Sequence, residues 1–207
     1  MSEYKKPWYI DQNEVNFYQE IMPELSVVFD VGCRSDNIFY ELNNDLEVHL
    51  FEPMSSPEIT ELQIITESLP NVKFNNFGLD SVKGEKVFYT EYQSLSTAWH
   101  KLLNRPKNSL KLKFDTLKNY INENGIKKID LLKIDTEAWD FEVMKGAEEK
   151  IWDITYIQFE AGWPTYGESD TMEDILNYFD GYNIYNLGGG PENYVITKKT
   201  LHYPKIR

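Results

Sequence analysis

The sequence predicts an α/β fold on a mostly parallel sheet, and three observations predict it. The stretch Ile129 to Ala147, IDLLKIDTEAWDFEVMKGA, changes hydrophobic period halfway along. Ile129, Leu131, Leu132 and Ile134 form the apolar run of a strand buried on both faces, whereas Trp139, Val143, Met144 and Ala147 recur at helical spacing. A second strand-to-helix unit, Val27 to Leu42, turns on a glycine and is followed by a strand that ends in an acid. The last two apolar runs flank Gly188-Gly189-Gly190-Pro191, which suits a hairpin closing the sheet antiparallel.

The length of 207 residues fits one domain, 1–207, with 41% hydrophobic and 14% aromatic residues to fill a core. A net charge of −13 argues against nonspecific grip on nucleic acid or an anionic membrane, since dense Lys and Arg hold both. A neutral or cationic partner is easier to accommodate. One cysteine, Cys33, permits neither an intramolecular disulfide nor a Cys-based zinc site and suits a reducing compartment. No leader-like apolar region opens the chain and no window approaches the ~18 apolar residues of a membrane span, so the expectation is a cytoplasmic protein.

Taken in order, residues 1–25 form an N-terminal helical extension, with Ile10, Val15, Phe17, Tyr18 and Ile21 on a helical period that stops before Pro23. It is expected to cover a sheet edge or the site. Val27, Val28, Phe29 and Val31 make a buried strand, and Ile38, Phe39 and Leu42 start a helix. Gly32, directly after the strand, lets a ligand approach the backbone, and the following helix N-terminus supplies unpaired N–H groups. The next strand, Leu46 to Phe51, ends at Glu52, 22 residues after Asp30. That is close to the ~20-residue spacing at which a βαβ unit offers a carboxylate to ribose hydroxyls.

Ser56 and Pro57 open a helix with a stripe of Ile59, Leu62, Ile65 and Leu69, which returns to a third strand, VKFNNFGL. Residues 80–90 read as a turn around Gly84 and an extra strand. Periodicity then fails, and 91–110, with Trp99 and His100, is expected to be an active-site lid loop. LKLKFDTLKNYINENG alternates, becomes helical from about Asp115 and stops at Gly125. After Ile129–Ala147, ITYIQFE is another buried strand ending in Glu160, and Thr171 to Phe179 is a capped helix. In an open parallel sheet, ligands sit at the carboxyl ends of the strands, where Asp135, Glu137 and Glu160 fall.

The blocks FDVGCRSDN, FEP, NNFGL, SLST and IDLLKIDTEAWDFEVMKGA followed by IQFE resemble the FkbM family of S-adenosylmethionine-dependent O-methyltransferases. That family's blocks read approximately FDVGANxG, FEP, NxAL and IDLLKIDVEGAELEVLKGA, and the similarity runs from about Val27 to Glu160. The resemblance implies a Rossmann-like class I methyltransferase domain with a seven-stranded sheet. Asp30 and Gly32 would line the methionine part of the cofactor, Glu52 would bind the ribose hydroxyls, and Asn76 to Gly78 would edge the adenine. Asp135 would face the cofactor amine or the acceptor, and Glu137 and Glu160 the acceptor. Cys33-Arg34 stand where the family has Ala-Asn, and Asp36 where it has a second glycine. Ala138-Trp139 replace Gly-Ala, so that Trp139 is expected to narrow the acceptor pocket or stack on the acceptor.

Methyl transfer to an alcohol requires alignment and removal of the hydroxyl proton. His100 is the candidate base by residue type, and Asp135 or Glu137 would serve only if burial raised its pKa. A divalent ion, Mg²⁺ or Mn²⁺, held by Asp135 and Glu160 is an open alternative to a histidine base. The expected acceptor is a hydroxyl of a sugar or glycan, on the strength of Trp99, Trp139, Trp163 and Tyr166. Two other readings share the strand, glycine loop and ribose acid. One is a dinucleotide-dependent oxidoreductase, against which the missing GxGxxG counts, and the other is a noncatalytic binding module that kept the fold, motivated by the altered Cys33-Arg34 and Ala138-Trp139 positions.

Overall fold

The computed structural model describes residues 11–33, 38–39, 45–55, 57–91, 94–95, 109–136, 139–161, 171–188 and 193–207. His100, Glu137 and Ala138, the tryptophan Trp99 and the aromatics Trp163 and Tyr166, the turn residues Arg34 and Asp36 and the hairpin turn 189–192 lie outside them.

Five strands of the main sheet are parallel neighbours: β1 (Val27–Val31), β2 (Glu47–Phe51), β3 (Val72–Asn75), β8 (Leu131–Ile134) and β9 (Tyr156–Glu160). The terminal pair, β10 (Asn183–Asn186) and β11 (Asn193–Thr197), is antiparallel, and β11 inserts against β9. The order is β10-β11-β9-β8-β1-β2-β3, an α/β fold with a seven-stranded, mostly parallel sheet. The chain leaves β1 in one direction through β2 and β3 and returns on its other side with β8. The switch point of the sheet therefore lies between the carboxyl ends of β1 and β8.

Strand alternation sorts the side chains into two cores. Phe29, Val31, Leu132, Ile134, Ile157 and Phe159 point to one face. There they meet α3 (Leu117–Asn124), α4 (Asp140–Lys145) and α5 (Met172–Tyr178). Val28, Val48, Leu131 and Tyr156 point to the other and meet α1 (Gln12–Ile21), Ile38 and Phe39, and α2 (Pro57–Glu67). Cys33 is buried in this second core.

The stretch VKFNNFGL is not one strand. After β3 the chain crosses to a second, four-stranded sheet made of β4 (Gly78–Leu79), β5 (Gly84–Glu91), β6 (Ser94–Leu95) and β7 (Ser109–Asp115), in the order β4-β7-β5-β6. Within 91–110, Glu91 ends β5, 94–95 form β6 and β7 begins at Ser109; 92–93 and 96–108 lie outside the described residues. The helix expected from Asp115 begins two residues later, because Asp115 is still paired in β7 and Thr116 caps α3 by accepting the Asn119 N–H at 3.1 Å. The α4 helix ends at Lys145 rather than running through Ala147, and a 3-10 turn, Glu148–Asp153, leads into β9.

Candidate active site

The carboxyl ends of β1 and β8 touch through Gly32. Its φ is +81°, and a Cβ there would stand 1.9 Å from the Asp135 carbonyl oxygen. The residue is glycine because another strand tip approaches its backbone. The Gly32 and Cys33 N–H groups both donate to the Phe51 carbonyl, at 2.9 and 3.2 Å, tying the loop after β1 to the end of β2.

One face of the sheet carries the charge. Asp30 is opposite Lys133 on β8, and Lys133 is opposite Gln158 on β9. The period of two puts Asp135 beside Lys133 and Glu160 beside Gln158 on that face, the face covered by α1. Lys133 Nζ lies 3.1 Å from Asp30 Oδ1 and 3.7 Å from Asp135 Oδ2. Burial would lower the ammonium pKa, but Asp30, Asp135 and Glu14 outweigh it and raise it. Glu14 comes from the first turn of α1, is 8% exposed, and accepts a hydrogen bond from Gln158 Nε2 at 2.9 Å. The Gln158 amide is oriented in turn by the Tyr18 hydroxyl, which donates to its oxygen at 2.8 Å. The charges at these tips are therefore Glu14, Asp30, Asp135 and Glu160 around one lysine, with Asp140 behind them.

This crowding moves the titrations. Burial, with Asp135, Asp140 and Glu14 adding repulsion, pushes the Glu160 carboxyl up to about 8. Burial likewise pushes Asp140 up to about 6, against the hydrogen bonds it accepts from Thr136 and Glu160. Glu14 is raised as well, by burial first.

The other expected cofactor residues sit along the neighbouring strand ends. Glu52 follows β2, and one of its carboxylate oxygens accepts the Met54 N–H at 2.7 Å. Asn76 donates its side-chain amide to the Glu52 and Met54 carbonyls, both at 2.9 Å, so it braces the turn that presents Glu52. Gly78 is buried in β4 beside Phe114 of β7. Trp139 donates its indole N–H to Asp80 Oδ2 at 3.0 Å, and Lys86 lies over its ring at 4.6 Å. Among the described residues no three His, Cys, Asp or Glu side chains are grouped to hold a metal ion. His49 is a core residue, bonded to the Tyr120 hydroxyl at 2.7 Å and to Glu47 at 2.9 Å, and His202 is exposed beside Glu20.

Sequence reasoning picked out Asp30, Asp135 and Glu160 but missed Lys133, Glu14, Gln158 and Asp140. The signal was present for two of them. Lys133 and Gln158 each interrupt an otherwise apolar strand, on the same parity as the acid at its tip.

Residues 37–185 match the Methyltransferase FkbM domain. The chain belongs to the FkbM methyltransferase family. Membership makes this protein a methyltransferase, an enzyme that passes a methyl group to an acceptor, and decides against the oxidoreductase reading. Similar solved structures include a human methyltransferase 10 domain containing protein, at 8% identity and a TM-score of 0.46, with 95% of this chain and 85% of that one covered. Another is WbdD, at 9% identity and 0.44, with 91% of this chain and 39% of that one covered. No curated protein matches the chain. The FkbM match begins after β1, so Gly32, Asp30 and the α1 residue Glu14 precede the matched region. Among the described residues no helix of this FkbM methyltransferase is long and apolar enough to cross a membrane.

Proposed function

We propose that the protein is an S-adenosylmethionine-dependent O-methyltransferase of the cytoplasm that methylates a hydroxyl group of a sugar or glycan. The observation that carries this reading is the set of carboxylates gathered around Lys133 at the switch point of the sheet, which suits a cationic ligand. S-adenosylmethionine, when bound, supplies an electrophilic methyl group on a sulfonium and carries a second positive charge on its amine. The residues present fit that chemistry. Asp135, half-buried at the tip of β8, faces the amine, while Gly32 and the ion-paired Asp30 shape the loop along the methionine part. Glu52, fixed by the Met54 N–H, accepts the hydrogen bonds of the ribose diol, and the Asn76 to Gly78 segment edges the adenine.

On the acceptor side, Glu160 takes the hydroxyl proton. An ordinary carboxylate is a weak base at neutral pH, whereas one held near 8 matches the task. His100 and Glu137 are further acceptor-side residues on this reading. The aromatic side chains Trp99, Trp163 and Tyr166 supply the flat apolar surfaces that suit the C–H faces of a sugar ring.

Calorimetry with the intact protein tests the donor. S-adenosylmethionine is expected to bind, and Glu52→Ala to weaken it by about 2 kcal/mol through loss of charge-assisted hydrogen bonds. No heat with the native protein would remove the proposal. Transfer of labelled methyl to a panel of nucleotide sugars and oligosaccharides tests the acceptor. The rate is expected to rise with pH and level off above about 8, because only the deprotonated Glu160 accepts a proton. In Glu160→Gln that limb should vanish, and a profile identical to the native one would exclude Glu160 as the base.

A further inference from the structure

Asp140 is the first residue of α4, 4% exposed, and both of its oxygens are engaged. Oδ1 accepts the Thr136 N–H at 3.0 Å together with the Thr136 hydroxyl, and Oδ2 accepts the Glu160 N–H at 3.0 Å. One oxygen thus holds the turn that follows Asp135, and the other holds the last residue of β9. The side chain spans two neighbouring strand tips. Both backbone partners can only donate, so the position requires an acceptor on each side, which a carboxylate provides and an amide does not.

The helix carrying Asp140 meets one residue of the turn between β4 and β5 at both of its ends. Asp80, at 0% exposure, lies between β4 and β5. It accepts the Trp139 indole N–H at 3.0 Å and pairs with Lys86, whose ammonium covers the Trp139 ring. At the other end of α4 its backbone carbonyl lies against Gly146, where a Cβ would stand 2.0 Å from the oxygen. The bulky Trp139, where the resembling family has a small residue, is therefore a tie between the two sheets.

We infer that Asp140 is a positioning residue of the methyl-transfer site, setting the separation of Asp135 and Glu160, and that Asp80, through the Trp139 indole, holds the helix that carries it. The consequence for turnover rests on the proposed function, but the positioning itself is readable without an acceptor. The charged groups facing Glu160 are Asp135, Asp140, Glu14 and Lys133, and those facing Asp140 are Asp135 and Glu160. A charge on Asp140 disfavours a second charge on Glu160 beside it.

The test is nuclear magnetic resonance on the labelled full chain, comparing native protein with Asp140→Asn and Trp139→Phe. In Asp140→Asn the Thr136 or Glu160 amide is expected to exchange with solvent about tenfold faster or more, and the Glu160 carboxyl to titrate at lower pH. Trp139→Phe keeps an aromatic ring, though a smaller one, but removes the donor, and should speed exchange at the same two amides while leaving the Glu160 midpoint closer to native. Unchanged exchange at both amides with an unchanged Glu160 midpoint in Asp140→Asn overturns the inference. Should that variant fail to fold, native exchange at both amides in Trp139→Phe overturns it instead. A native protein that gives no heat with S-adenosylmethionine refutes the proposed donor and does not alter these readouts.

Discussion

Lys133→Met is expected to destabilise the protein by about 3–5 kcal/mol at neutral pH, the range for removing one partner of a buried ion pair. The side chain is little exposed and lies 3.1 Å from the more deeply buried Asp30. Methionine fills a similar volume, so the loss is of charge rather than packing. Asp30 is left uncompensated, and Asp135, Glu14 and Glu160 face one another without the lysine between them. The pH dependence follows from the direction of the shifts. The native Lys133 pKa is raised, so its contribution is complete below the ordinary lysine pKa and is lost only as pH rises through the higher folded value. Asp140 and Glu160 are also raised in the folded state, so their contributions are complete below the ordinary carboxyl pKa and fade as pH rises through about 6 and about 8 respectively. In the variant those carboxyls hold protons more tightly still, and the stability gap should narrow as the solution is acidified. Urea unfolding of both proteins at about pH 5 and about pH 7.5 measures this. An equal gap at both pH values would mean that charge is not the cause.

Gly32→Ala is expected to cost about 3 kcal/mol or more and to abolish donor binding along with the stability. The new methyl group meets the Asp135 carbonyl oxygen at 1.9 Å and its carbon at 2.8 Å, both backbone atoms that no rotamer change can move. The φ of +81° adds strain of its own. Relief requires the tips of β1 and β8 to part, which also breaks the two N–H bonds to Phe51 and displaces the turn at Glu52. Thermal unfolding and calorimetry with S-adenosylmethionine measure the two effects together. A variant of native stability would show that the loop after β1 has room the structure does not display.

The main sheet was legible because its strands are short apolar runs bounded by turn residues, and because each acid at a strand end breaks that run visibly. The smaller sheet was legible in part, its long strands β5 and β7 showing as an extra strand after the turn at Gly84 and as the alternation of LKLKF. Its strands β4 and β6 have two residues each, too few for a period, and VKFNNFGL reads as continuous although its halves pair with different partners. As candidates, Gly32, Glu52, Asp135 and Glu160 were legible from type and spacing, and Asp30 from the family resemblance. Asp140 was not, since one acid in the first turn of a helix reads as a favourable dipole contact, and only the approach of β9 gives it a second task.

By itself the sequence determined the alternation of strands and helices, the parity that sends Asp30, Lys133, Asp135, Gln158 and Glu160 to one face, and the glycine after β1. Periodicity is a local property, written in every few residues. Only the tertiary structure decided that Gly32 meets Asp135, that Glu14 arrives from α1, and that Trp139 serves Asp80 across two sheets. These are contacts between residues 59 to 144 positions apart, or between elements whose order in space differs from their order in the chain. The titration of Glu160 belongs to the same class, because burial and neighbouring charge exist only once the strand tips have been brought together.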